Sequence, residues 1–169
     1  AELGLEAQAQ PRSSTMPVPW DPVRGLRSCG LAEVAQNVEN RAITLKQLQE
    51  MQAFVRRLTK VGLLRYSKTT EYTTEGHRIR WIDVNMHVIS GEVIRKLIPE
   101  EVGCSWVEIV ATGPQRPTHF VSHNWSEPFC DFMSSLEHHA AEHGRIGSDS
   151  YWICTFANSQ FKVELGMAL

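Results

Sequence analysis

Between Thr118 and Phe161 the sequence changes periodicity twice, and no single element can satisfy both patterns. Residues 118–122 are short and β-prone and follow a turn-rich stretch, 112–117, containing Gly113, Pro114 and Pro117. Pro128 then stands where the first turn of a helix loses nothing by lacking an N–H. Phe129, Phe132, Met133, Leu136 and Ala140 fall at i, i+3, i+4, i+7 and i+11, a continuous apolar stripe, and Gly144 is placed to stop the helix in a left-handed conformation. Residues 151–157 form a nearly unbroken aromatic and β-branched run, which predicts a strand covered on both faces. Strand, helix and strand in this order predict a parallel, right-handed βαβ crossover.

That topology places the polar turns after both strands at one carboxyl edge. Open α/β sheets bind ligands there, at a switch in strand order. Ser122, His123, Asn124, Trp125, Asn158 and Gln160 are therefore the candidate ligand-binding residues.

Bulk properties narrow the function classes. The 169 residues suffice for one domain plus a tail, with 42% hydrophobic and 21% charged residues. A net charge of −2 and a pI near 6.4 give no electrostatic case for nucleic acid or an anionic membrane. No apolar run is long enough for a membrane span. Cys29, Cys104, Cys130 and Cys154 are widely spaced with no CxxC pair, which predicts reduced thiols in an intracellular compartment, cytoplasm or organelle.

Three regions are expected along the chain. Residues 1–40, rich in Ala, Gln, Pro and Ser, read as an extended arm, in which Pro17, Pro19 and Trp20 can dock on a surface. Residues 41–110 read as mainly helical. Thr44 and Gln47 have capping-box spacing and Gly62 is a plausible stop; a second helix is expected over 85–98, and 77–82 alternates like a short edge strand. Residues 105–110 are ambiguous between helix and strand. Residues 111–169 read as the start of an α/β domain, with 161–169 opening a further unit. Two strands and a short edge strand are too few for a doubly wound sheet, so the expectation is that either the chain stops within its last unit or another molecule completes the sheet.

Histidines invite a metal hypothesis. His139 and His143 are four apart on the predicted helix, but Glu142 is out of the HExxH register, so they are weak candidates and no metal is expected. His119 and His123 would lie about 13 Å apart on one extended strand, too far to share an ion. Ser122 lacks a GxSxG elbow, and no glycine-rich phosphate loop occurs. A zinc-dependent hydrolase is accordingly the least favoured class.

The run 120–125 (FVSHNW), the helix opening at Pro128 and Phe129, and 151–160 (YWICTFANSQ) resemble the first third of the Toll/interleukin receptor (TIR) homology fold. The closer likeness is to a divergent FVSH-W branch found in protists, dinoflagellate algae among them, which 83–86, 103–105, Val107, Glu108 and Ala111 also resemble. It spans roughly residues 80–165. The resemblance implies a partial flavodoxin-like parallel sheet and a module that assembles signalling complexes through a protein partner or self-association. Some members of the family cleave NAD with a glutamate from a later segment, and this branch usually carries a Trp-Cys-x-x-Glu motif there. No such motif follows Gln160, so the expectation is an assembly module with a nucleotide-recognition edge of the NAD type, not catalytic on its own. The alternative is a non-catalytic structural subunit of a larger, organellar complex.

Overall fold

A computed structural model describes residues 37–144 and 149–161. The predicted arm up to residue 36, with its Pro17–Trp20 docking segment and Cys29, and the tail from 162 to 169 lie outside the described residues.

The helical half starts where local chemistry says it should. Strand β1 (Ile43–Thr44) runs directly into helix α1 (Leu45–Val61). The Thr44 hydroxyl accepts from the Gln47 N–H at 3.2 Å, and the Gln47 side chain accepts from the Thr44 N–H at 3.0 Å. A reciprocal cap of this kind stabilises a helix by about 1 kcal/mol. Gly62, at φ 74°, closes the far end in the left-handed region that a β-carbon disfavours. Leu45, Leu48, Met51 and Val55 turn inward to the core.

The edge strand expected over 77–82 is not formed. Arg78 makes an isolated bridge to Arg65, and Trp81–Asp83 is a 3-10 turn clamped by Arg80, whose guanidinium donates to Asp83 at 2.7 and 2.8 Å. Of this alternating segment Ile79 is buried and Trp81 packs partly on the core, while Ile82 is 63% exposed. The next helix, α2, covers 86–97 in three parts: α-helical Met86–Val88, π-helical Ile89–Ile94 and α-helical Arg95–Leu97. Asn85 caps it by accepting from the Val88 N–H. The wide π turn rotates the buried stripe, so Val88 and Ile94 are buried alongside Met86, Ile89, Val93 and Ile98, while Leu97 is only partly covered.

The ambiguous segment is helix α3 (Trp106–Val110), fixed by a second capping box in which the Ser105 N–H donates to the buried Glu108 carboxylate at 2.6 Å. Glu108 also faces Arg41 at 3.7 Å, joining α3 to the chain entering β1.

The α/β half contains β2 (His119–Phe120), α4 (Phe129–Glu142), β3 (Ser150–Trp152) and the single-turn helix α5 (Cys154–Ala157). β2 and β3 pair in parallel, His119 opposite Tyr151 and Phe120 opposite Trp152, so the predicted βαβ unit forms. β1 adds to the other side of β3 antiparallel, giving a mixed three-stranded sheet in the order β1-β3-β2. The stripe predicted for α4 is buried at all five positions.

Two strand expectations are corrected. The first strand is two residues long rather than spanning 118–122. The second ends at Trp152, and residues 154–157 form a helical turn whose Phe156 and Ala157 N–H groups both return to the Ile153 carbonyl. The sheet is also not covered on both faces, because Phe120, stacked on Trp152 at 4.9 Å, is 74% exposed. Among the described residues no helix is long and apolar enough to cross a membrane.

Candidate functional site

At the carboxyl edge of the parallel pair, the structure brings together some of the six predicted ligand residues. Nε2 of His123 shares a hydrogen bond of 3.2 Å with the hydroxyl of buried Thr155, a partner that the sequence did not single out. Nδ1 of His123 is buried with no hydrogen-bond partner. Trp125 packs against both His123 and His87, with ring centroids 5.7 and 5.2 Å apart. Gln160 is a bracket: it accepts from Ser90 at 2.7 Å and donates to the Thr155 and Asn158 carbonyls, which uses its amide fully. Asn158 is half-buried in the same turn. Ser122 and Asn124 are exposed, and the Asn124 side chain closes an Asx turn onto Ser126.

Burial holds the His123 imidazole below its ordinary value of 6.5, partly offset by Glu127. An unfolded chain therefore takes up a proton near pH 6.5 that the folded chain refuses. The stability tied to His123 is complete above that pH and is lost as pH falls through the folded value. We expect its ring resonances to titrate below those of a histidine in the unfolded chain; titration at or above 6.5 would show that the ring is not desolvated.

A second constellation sits at the opposite, amino edge, where α4 ends. His119 on β2, His139 in the last turn of α4 and Asp149 just before β3 bring their ligating atoms within 4.8 Å of one another. His119 Nε2 and Asp149 Oδ1 are 3.6 Å apart. Asp149 is 1% exposed, and both its carboxylate oxygens, His119 Nε2, His139 Nδ1 and the Tyr151 hydroxyl are buried without a hydrogen-bond partner. Burial, then the Asp149 charge and a long polar contact from the phenol to that carboxylate, push the Tyr151 phenol up. His143 stacks beside His139 at 4.4 Å and is anchored to the His139 carbonyl at 2.8 Å. Sequence spacing pairs His139 with His143; the fold instead joins His139 to His119 and Asp149.

The third feature is an apolar groove of about 770 Å³ along α1, walled by Met51, Phe54, Leu58, Val61, Leu63 and Trp106. Val61 and Leu63 are 58% and 72% exposed on its rim. Glu50 and Arg57 also line it. Cys130 and Cys154 are free thiols, and burial followed by Asp131 pushes the Cys130 thiol up, away from the reactive thiolate.

The chain matches no protein-family model, no curated protein and no solved structure.

Proposed function

We propose that this chain is a TIR-like assembly module, not catalytic on its own, that self-associates through the groove along α1. The observation that carries this reading is a groove whose charges are complementary to themselves. Glu50 and Arg57 are seven residues apart, about 10 Å along the helix and on one face. An antiparallel twofold contact of α1 with its copy, centred between Ala53 and Phe54, sets Glu50 of each protomer against Arg57 of the other. Such a surface is isologous, the arrangement commonest among homodimers. Val61 and Leu63 supply the apolar knobs and the groove supplies their seats, so burial of otherwise wet surface drives the contact. The parallel β2–α4–β3 unit supports a flavodoxin-like reading of the α/β half. Sedimentation equilibrium tests the proposal: a dimer that dissociates on dilution is expected, and a monomer at every concentration overturns it in favour of a subunit completed by an unrelated partner.

A second reading is favoured by the unpartnered Nδ1 of His123. With Trp125 and His87 beside it, this edge offers a neutral hydrogen-bonding ring and an aromatic face, the pair of features that a nucleotide of the NAD type engages. Added NAD is expected to move the His123 ring resonances without releasing nicotinamide; resonances unmoved at millimolar NAD remove this reading.

A further inference from the structure

We propose that His119, His139 and Asp149 form a three-ligand site for a divalent transition-metal ion of the zinc type, with the fourth position left to water or an exogenous ligand beside Tyr151. The argument starts from the carboxylate. A buried carboxylate without full compensation is costly, and Asp149 has only a 3.6 Å approach from His119 and the Tyr151 phenol beside it, with no close hydrogen bond to either oxygen and two imidazole nitrogens facing it. A cation among these atoms satisfies all of them at once.

The ligand set then selects the ion. Two neutral imidazoles with one carboxylate suit zinc and its neighbours and disfavour magnesium and calcium, which take oxygen. Ligand atoms around tetrahedral zinc lie about 3.4 Å apart, as follows from bonds of about 2.0–2.1 Å. The 3.6 Å between His119 and Asp149 already approaches this, and the span of 4.8 Å closes with small side-chain rotations. Three elements contribute, so the ion would tie the end of α4 to the sheet. The site also lies at the C-terminal end of that 14-residue helix, where the exposed carbonyls favour positive charge. His119 keeps 29% of its side chain exposed, which leaves an entry for the ion.

The test uses the full chain, stripped with chelator and reloaded with zinc. We expect one zinc per chain retained through gel filtration. Free zinc at about 100 times the dissociation constant should raise Tm by roughly 5 °C or more. His139→Gln and His119→Gln should lose both effects. Asp149→Asn should also lose them, yet its metal-free form should melt no lower than the metal-free parent, because the substitution removes a buried charge that His119 and Tyr151 compensate only in part. His138→Gln, an exposed residue outside the cluster paired with Glu142 at 3.2 Å, should leave both effects intact. Zinc that is not retained, or retention that survives His139→Gln and Asp149→Asn, would overturn the site.

Discussion

Phe129→Ala is expected to cost about 3–5 kcal/mol of unfolding free energy, the range for truncating a fully buried aromatic ring. Phe129 is 0% exposed and opens α4 at the junction of the two halves. Its ring meets Trp81 edge-on at 6.3 Å and stacks on Phe132 at 6.2 Å. Its N–H donates to the Val84 carbonyl at 2.7 Å, so the backbone fixes the ring in place and the neighbours cannot easily collapse into the hole. The urea midpoint should fall with the slope unchanged, and Tm should drop by about 10 °C. Phe120→Ala is the control, since a side chain 74% exposed should matter by no more than about 0.5 kcal/mol. A loss below about 1 kcal/mol for Phe129 would mean that the two halves do not share this core.

Reversing one charge on the groove should have the second large effect. Glu50→Arg sets Arg against Arg57 of the other protomer at two symmetric points, and Arg57→Glu sets Glu against Glu50 in the same way. Either change should weaken the dimer by about tenfold or more, since like charges facing each other across an interface cost a kcal/mol or more. The double variant Glu50→Arg/Arg57→Glu restores both contacts and should recover the parent affinity. Both residues are exposed, and neither makes an ion pair among the described residues, so monomer stability should not move. Single variants that dimerise as well as the parent would remove the twofold arrangement.

Legibility in the sequence followed the range of the interactions. Thr44, Gln47 and Gly62 announced α1 because caps are made within four residues, and the α4 stripe was readable because its period is local. The run 151–157 misled because it is buried on nearly every side: Phe156 and Ala157 are 0% exposed inside a helical turn, and burial erases the alternation that separates strand from helix. β1 escaped notice because its two residues are strand only by pairing with Tyr151 and Ser150, more than a hundred residues away. The same limit applies to the sites. His123 and Trp125 were visible as a polar turn after a strand, whereas Thr155 lay hidden in an apolar run. The cluster of His119, His139 and Asp149 has no signature spacing, because a strand, the end of a helix and the residue before the next strand meet only through the parallel register.

Disulfide trapping of Ala53→Cys addresses self-association most directly. A twofold axis beside Ala53 brings the two introduced thiols within the roughly 4.4–6.8 Å Cα separation that a disulfide needs. Mild oxidation should convert the variant to a covalent dimer, while Lys60→Cys, which the antiparallel register places about 20 Å along the helices from its copy, and the parent chain should stay uncrosslinked. Absence of the Ala53→Cys dimer, or equal crosslinking of Lys60→Cys, would contradict assembly through this face.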